Sequence, residues 1–216
     1  MKNGILSIAL GLLATATVQA AFTPIADASA DYSATQGYKS WSYGYYTSEF
    51  NYSTFIQYDV APNGTGWNAW SYSTSAAGGG FINGTDQFPG VNYSIGANID
   101  AVRRWTSTVS DTIHISGILQ KEWGGTQDWN NGVRCRILVN GNAILDQNLM
   151  PGTNGYSYPY TASAVVNVGD KVDFVVDAYG NNGNDRTTFT AMIVPEPGML
   201  ALLAVGGLVV LKRRRA

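Results

Sequence analysis

The segment Glu122–Gly132 (EWGGTQDWNNG) combines two tryptophans with amide and carboxylate side chains. Trp123 and Trp129 supply flat apolar rings, and Asp128 and Asn130 flank the second ring. Such a ring can stack on the C–H face of a sugar while neighbouring amides and carboxylates bond its hydroxyls. The segment is polar and rich in glycine, so we expect it at the surface as a candidate glycan-binding site. The alternative is that the rings fill the core, where aromatic side chains bury the largest areas.

Groups suited to acid–base or nucleophilic catalysis are few. The chain has one histidine, His114, and one cysteine, Cys135, and no metal-site or catalytic partner lies near either in sequence. His114 falls on the polar face of a predicted strand, and Cys135 alternates with apolar residues, so we expect a surface histidine and a core cysteine. Neither a Gly-x-Ser-x-Gly elbow nor a phosphate-binding loop occurs. The sequence therefore predicts a protein that is not an enzyme.

Five carboxylates keep one catalytic alternative open. Two of them could reach the separation that glycoside hydrolysis requires, although such residues usually solvate loops and strand edges. The five are Glu122, Asp128, Asp173, Asp177 and Asp185.

A cluster of side-chain oxygens leaves calcium as an alternative to the prediction of no cofactor. Calcium binds carboxylate and amide oxygens, but this spacing does not match the Asp-x-Asp-x-Asp-Gly loop. Turn formation explains the same composition equally well. The cluster consists of Asp177, Asn181, Asn182, Asn184 and Asp185.

Short strands with frequent turn signals must position these residues. Eight or nine strands and no convincing helix in the central region predict an all-β domain, a sandwich or barrel. Trp70 and Trp105 lie within such strands, and we expect both in the core. The predicted strands are Thr54–Val60, Trp67–Ser73, Ile99–Trp105, Thr112–Leu119, Val133–Val139, Ala143–Leu149, Ala164–Val168, Lys171–Val176 and Thr187–Val194.

The clearest unit is a hairpin over Val133–Leu149. Val133, Cys135, Ile137 and Val139 alternate on one face. Asn140-Gly141 is typical of a two-residue turn with positive φ. A second turn, Gly169-Asp170, leads into the strand that begins at Lys171.

Charge and cysteine content exclude some classes of protein. Without the two end segments the chain keeps eight basic and fourteen acidic residues, a net charge of −6. This balance argues against nucleic acid as a partner, because such binding needs a basic surface. A single cysteine permits no disulfide within the chain.

Residues 1–21 are typical of a signal peptide. Lys2 provides the positive start, Ile5–Val18 is apolar, and Val18-Gln19-Ala20 places small residues where a signal peptidase cleaves. The alternative is an uncleaved membrane anchor, for which the apolar run is short. We therefore expect export by the secretory pathway.

The C-terminal residues have three parts. Pro195-Glu196-Pro197 comes first, followed by the apolar run Gly198–Leu211. As a helix this run would be about 21 Å long, against a hydrocarbon core of about 30 Å. The basic cluster Lys212, Arg213, Arg214 and Arg215 then acts as a stop-transfer signal. The sequence predicts a short transmembrane helix that places the protein in the membrane with its C-terminus inside.

This tail resembles the PEP-CTERM sorting signal of Gram-negative bacteria. The resemblance rests on Pro195-Glu196-Pro197, the apolar run and the arginines, in that order at the end of the chain. It implies recognition by an exosortase, a membrane transpeptidase that cleaves near the motif. It also implies a role beside exopolysaccharide and biofilm matrix, with transient residence in the inner membrane and then at the cell surface or in the matrix. The alternative is a plain C-terminal anchor.

The stretch Ala101–Ile193 resembles jelly-roll modules found beside carbohydrate-active domains. The resemblance rests on VRRWT from Val102, the hairpin with Asn140-Gly141, and VGDKVDFVV from Val168. It implies a fold and no particular site residues.

Together these features predict three segments and one leading function. We expect a signal peptide at 1–21, a jelly-roll-like β-sandwich at 22–193, and a sorting signal at 194–216. The leading hypothesis is a non-catalytic surface or matrix protein that binds polysaccharide. The alternatives are a structural or adhesive matrix protein with protein partners, and a polysaccharide-active enzyme.

Overall fold

The chain folds into an all-β sandwich of two sheets. A computed structural model describes residues 23–47, 54–62, 68–72, 80–92, 97–122, 132–150, 155–180 and 182–196. Each range below gives one strand in chain order. The strands are β1 Ala26–Asp27, β2 Trp41–Tyr46, β3 Ile56–Gln57, β4 Trp70–Ser71, β5 Phe81–Ile82, β6 Asp86–Phe88, β7 Gly90–Asn92, β8 Ala97–Thr106, β9 Asp111–Lys121, β10 Val133–Val139, β11 Asn142–Leu149, β12 Tyr158–Val166, β13 Lys171–Asp177, β14 Thr187–Phe189 and β15 Met192–Pro195.

The strands pair mostly with partners distant in sequence. The first sheet has the order β1-β15-β9-β14-β6-β5-β4, and β12 pairs with the other side of β9. The second sheet has the order β11-β10-β13-β8-β2-β3, and β7 pairs with β8. These strand pairs are antiparallel; the second sheet faces the main core on one side and buries a small cluster around Tyr46 and Val102 on the other.

The core lies between the sheets and is rich in aromatic residues. Trp41 and Trp105 pair across β2 and β8, and both are fully buried. Trp70 is 5% exposed and stacks on Tyr43 with ring centroids 6.0 Å apart. The predicted core positions of Trp70 and Trp105 are confirmed.

The hairpin β10–β11 has the predicted turn and faces. Asn140 and Gly141 have φ of 50° and 84°, as a tight two-residue turn requires. Val133, Cys135 and Ile137 face the core. Gly169, with φ of 96°, forms the turn before β13.

Three strands differ from the prediction. β2 is an additional strand in which Trp41, Tyr43 and Tyr45 face the core at period two, while Tyr46 is buried on the opposite face of the sheet. β12 begins at Tyr158, six residues before the predicted start, because Pro159 sits in the outer strand of its sheet, where no ladder bond to its nitrogen is needed. The predicted last strand is two strands, separated at Thr190, whose N–H donates to Ile118 O at 3.1 Å.

The last strand also continues past its predicted end. Pro195 pairs with Ile113, and the N–H of Glu196 donates to Thr112 O at 2.8 Å. Pro195 therefore does not break the strand. Within the described ranges no helix is long and apolar enough to cross a membrane, and the predicted segment Gly198–Leu211 lies outside them.

Candidate functional site

One end of the sandwich, which we call the loop end, gathers strand ends from both sheets. β9 ends there at Lys121, β10 begins there at Val133, and β13 ends there at Asp177. Arg134 is paired with Asp177 across the second sheet, and Thr187 with Lys121 across the first. The turns at Asn140-Gly141 and Gly169 lie at the opposite end, the turn end.

The residues that flank the predicted aromatic loop lie at the loop end. Glu122 follows β9 directly, and its N–H donates to Arg186 O at 3.0 Å. Gly132 precedes β10 with φ of 95°, and a Cβ there would lie 2.5 Å from Leu149 O. Position 132 therefore requires glycine. The predicted glycan contacts themselves lie outside the described residues: Trp123, Asp128, Trp129 and Asn130.

A fully buried ion pair fixes the loop after β13 to β9. Lys121 Nζ donates to Asp185 Oδ1 at 2.9 Å and to Asn184 O at 2.7 Å, and both charged side chains are 0% exposed. Burial raises the pKa of Asp185 to about 7; Lys121 opposes the rise and the carboxylate of Asp177 adds to it. Charges this deep persist only with close partners, so the pair holds residues 184–185 in place.

A second buried ion pair supports the start of the same loop. Arg136 Nη2 donates to Asp177 Oδ2 at 2.8 Å and lies 3.8 Å from Asp100 Oδ2, all three side chains being 2% exposed. The other oxygen of Asp177, Oδ1, accepts the backbone N–H of Tyr179 at 2.8 Å. Asn98 Nδ2 donates to Gly180 O at 3.2 Å. Both arms of the loop are thus anchored to sheet residues.

Two exposed tyrosines stand on this anchored framework. Tyr179 is 46% exposed and has φ of 49°, a left-handed conformation that its N–H bond to Asp177 helps to hold. Tyr156 is 64% exposed and follows Gly155, whose N–H donates to Lys121 O at 3.0 Å. The sequence analysis missed both rings. The signal was present, because each tyrosine stands next to a glycine turn at the same end as the predicted loop.

A third charged network holds Glu122. Arg186 Nε lies 2.9 Å from Asp86 Oδ2 and 3.0 Å from Glu122 Oε2. The hydroxyl of Thr188 lies within hydrogen-bond distance of both carboxylates. Burial alone would raise the pKa of Asp86, but bonds from Arg186, Thr85 and Thr188 hold it below the usual value.

Burial removes three carboxylates from the glycosidase alternative. Asp173 accepts both Nε and Nη2 of Arg104, at 2.6 and 2.8 Å, and is 1% exposed. Asp177 and Asp185 are equally enclosed by Arg136 and Lys121. None of the three can reach a polymer substrate from these positions. Glu122 is 28% exposed and already paired with Arg186, and Asp128 lies outside the described residues.

The same ion pairs bear on the calcium alternative. Asp177 and Asp185 each face a cationic side chain at hydrogen-bond distance, so both carboxylates already have a positively charged partner. Across the described segments no three His, Cys, Asp or Glu side chains converge as metal ligands. Asn181 lies outside them.

The single histidine and the single cysteine lie where the sequence predicted. His114 is half-buried on the outer face of β9, and its Nδ1 lies 2.7 Å from Ser163 Oγ. Cys135 is fully buried in the core, and burial strongly raises the pKa of its thiol. A thiol in this setting is an inert core side chain.

The predicted sorting motif begins inside the sheet. Pro195 and Glu196 belong to the β15–β9 ladder described above, and the side chain of Glu196 is exposed. The folded domain therefore meets the motif without an intervening linker. Pro197 and the basic cluster from Lys212 to Arg215 lie outside the described residues.

No protein-family model matches the chain, and no curated protein matches it. Solved structures that resemble it are carbohydrate-binding modules. A family 22 xylan-binding domain from Paenibacillus barcinonensis matches with a TM-score of 0.38 and 9% identity, over 82% of this chain and 97% of that one. A family 35 carbohydrate-binding module from Clostridium thermocellum matches with a TM-score of 0.32 and 13% identity, over 58% of this chain and 86% of that one.

A further match is the tandem family 51 carbohydrate-binding modules of a family 98 glycoside hydrolase from Streptococcus pneumoniae. Its TM-score is 0.36 with 9% identity, over 47% of this chain and 33% of that one. The chain thus matches about a third of the length of that protein. The solved structures that resemble this chain are carbohydrate-binding modules, and at TM-scores below 0.5 the likeness carries no argument about what this chain binds.

Proposed function

We propose that the sandwich is a non-catalytic domain that binds polysaccharide at its loop end. The observation that supports this proposal is a pair of exposed rings, Tyr156 and Tyr179. They lie at the same end of the sandwich as Glu122 and Gly132, the residues that flank the two tryptophans. Flat rings beside amide and carboxylate groups suit sugars, whose faces are apolar and whose edges carry hydroxyls. Tyr156 and Tyr179 would form one platform with Trp123 and Trp129, four rings in all.

The anchoring of Tyr179 supports a binding role over a purely structural one. Ordering a loop on binding costs free energy for each side chain that is immobilised. Here hydrogen bonds to Asp177, Asn98 and Lys121 already hold the loop in place. A sugar that stacks on Tyr179 would therefore meet a ring that is already positioned.

Burial of the carboxylates favours binding over cleavage. An acid catalyst must lie within hydrogen-bond reach of the glycosidic oxygen. Asp173, Asp177 and Asp185 are enclosed in ion pairs and cannot do so. The raised pKa of Asp185 is accordingly the consequence of its burial, which Lys121 only partly offsets.

The test is binding of the mature exported protein to the host's exopolysaccharide, measured by affinity electrophoresis. The variants Trp123→Ala, Trp129→Ala and Tyr179→Ala should each weaken retention by about tenfold, the usual range for losing one stacking ring. Tyr38→Ala is the matched control, because Tyr38 is 47% exposed and lies at the turn end. Absence of binding by the wild-type protein would leave a structural or adhesive matrix protein as the better account.

We also propose that the protein is exported and that an exosortase processes its tail. This proposal rests on the signal-peptide pattern, the three-part tail, and the exposure of Glu196 at the end of the last strand. Glu196→Gln should leave the domain folded, because only its backbone N–H bonds to β9.

Cell fractionation tests the sorting proposal. The Glu196→Gln chain should accumulate in the membrane fraction with its tail intact, whereas the wild-type chain is released. Asp111→Asn is the control, because Asp111 is an exposed carboxylate next to Thr112, the partner of Glu196. Equal release of the two variants would contradict the assignment of the motif.

A further inference from the structure

The strand β12 forms an open edge of the first sheet. It pairs with β9 over nine residues, from Tyr158 opposite Leu119 to Val166 opposite Asp111, without a register shift. In the part of the chain that the structure describes, no strand pairs with its other side. A long, regular edge of this kind is a template for another strand.

The hydrogen bonds of β9 show which backbone groups of β12 point outward. Ile118 N–H donates to Thr190 Oγ1 and Ile118 O accepts from Thr190 N, both on the side away from β12. In an antiparallel ladder both polar groups of a residue point to the same side, and the side alternates. The β12 residues opposite Ser116, His114 and Thr112 therefore direct N–H and C=O to the open edge. These residues are Thr161, Ser163 and Val165, and all three are exposed.

The open segment has a defined end on each side. Pro159, opposite Ile118, has no N–H to offer. Asn167 N–H donates to Asp170 Oδ2 at 2.7 Å, and Asn167 O accepts from Asp170 N at 3.0 Å. Both groups of Asn167 are thus used within the turn. The outward groups that remain are symmetric about Ser163.

The side chains along this edge carry no charge. No charged residue occurs between Asp146 and Asp170, and Val165 is 74% exposed. Edge strands are commonly protected by lysine or other charges. The neighbouring edge strand β11 carries Asp146, which is 39% exposed and ion-paired with Arg134.

We infer that β12 pairs with β12 of a second copy of this chain, antiparallel and about a two-fold axis at Ser163. Ser163 then faces its counterpart, and Thr161 faces Val165 of the other copy. Each of these pairs exchanges two backbone hydrogen bonds, which satisfies every outward group between Pro159 and Asn167. The outward backbone groups are arranged symmetrically about Ser163 and end at Pro159 and Asn167. Such a segment can pair with a copy of itself, which is the usual geometry of a two-fold interface. The absence of charge removes the like-charge repulsion that would oppose this pairing.

Cross-linking of the full chain in its host cells tests the inference. Paired residues in such a ladder have Cα atoms about 5.5 Å apart, within disulfide range. Ser163→Cys should give a product of twice the protomer mass on mild oxidation. The native Cys135 is fully buried and gives a low background. Asn148→Cys, at an exposed position of β11 that pairs with Arg134 and not with Cys135, is the matched control and should give at least tenfold less product.

Two further variants separate pairing from misfolding. Ser163→Cys loses the contact with His114, so the double variant Thr161→Cys, Val165→Cys provides a second route to the same product with that contact intact. Adding Val165→Lys to Ser163→Cys should reduce the product at least tenfold, because it places charge on the edge. No dimer from either cysteine variant, a product of another mass, or equal cross-linking by Asn148→Cys would overturn the inference.

Discussion

The backbone N–H of Tyr179 donates to Oδ1 of Asp177 at 2.8 Å, while the other oxygen of Asp177 accepts from Arg136. One carboxylate thus links an exposed ring to a charged pair that is 98% hidden from solvent, since Arg136 and Asp177 are each 2% exposed. Removing the carboxylate of Asp177 would have two effects at once. The Tyr179 ring would lose its anchor, and the buried guanidinium of Arg136 would lose this ion-pair partner. The proposed binding surface and the stability of the second sheet are therefore coupled at this residue.

The free energy of unfolding should depend on pH through the titration of Asp185. Its pKa is raised to about 7 in the folded protein, above its ordinary value of 3.8, so the folded state holds a proton that the unfolded state releases between these values. The free energy of unfolding should therefore fall as pH rises from about 4 to about 7. In Asp185→Asn this slope should be lost, as measured by urea denaturation at pH 4.5 and 7.5.

The carboxylates with lowered pKa, including Asp86 and Asp146, act in a different window. Their stabilisation is lost only as pH falls below about 4, so they do not obscure the slope above it. Asp59→Asn, at an exposed carboxylate, is the control and should keep the wild-type slope. A slope that Asp185→Asn leaves unchanged would contradict the assignment.

The buried arginine of β8 should be intolerant of substitution. Arg103 is fully buried, and its guanidinium donates to four backbone carbonyls, those of Ala28, Asn83, Gly84 and Asp86. Arg103→Met fills similar volume but leaves the four acceptors without this donor. We expect a loss of roughly 3–5 kcal/mol in the free energy of unfolding, as for other broken buried networks. A loss below about 1 kcal/mol in chemical denaturation would show that the carbonyls find other donors.

Two glycines provide a matched test of close packing. A Cβ at Gly117 would lie 2.0 Å from Thr190 O and 2.8 Å from the hydroxyl of Tyr160, whereas a Cβ at Gly84 meets nothing within 4 Å. Gly117→Ala should therefore lower the free energy of unfolding by roughly 1–3 kcal/mol or more. Gly84→Ala should change it by about 0.5 kcal/mol or less. Equal effects in thermal denaturation would argue against the close approach of β9 and residue 190.

The position of the domain's end can be tested by truncation. β15 pairs with β1 on one side and β9 on the other, and Ile193 is fully buried between the sheets. A stop codon after Ala191 should therefore leave an unfolded, protease-sensitive chain. A stop codon after Glu196 keeps the whole ladder and should leave a folded one. Similar protease resistance of the two chains would show that β15 is dispensable.

The sequence predicted the long central strands well because the residues that pack in the core between the sheets lie at alternate positions along them. β8, β9, β10 and β13 each place one face in the core, and the turn at Asn140-Gly141 follows directly from residue type. β2 was not predicted, although Trp41, Tyr43 and Tyr45 face the core at period two. The early part of β12 was missed because Pro159 signals a break unless the open edge is known.

The candidate site was only partly predictable. The loop Glu122–Gly132 was identified from composition, but the ion pairs beneath it join residues far apart in sequence, such as Lys121 and Asp185, 64 positions apart. Single-sequence patterns place such charges at the surface, since isolated charges are costly to bury. Their burial depends on partners that only the fold brings together.

The most direct test of the proposed function compares two tyrosines with nearly equal exposure. Tyr179 is 46% exposed at the loop end, and Tyr38 is 47% exposed near the start of β2 at the turn end. Affinity of the mature protein for its exopolysaccharide should fall about tenfold in Tyr179→Ala and stay unchanged in Tyr38→Ala, with both variants folded by circular dichroism. Equal affinities of the two variants, or a loss confined to Tyr38→Ala, would contradict the placement of a glycan site at the loop end.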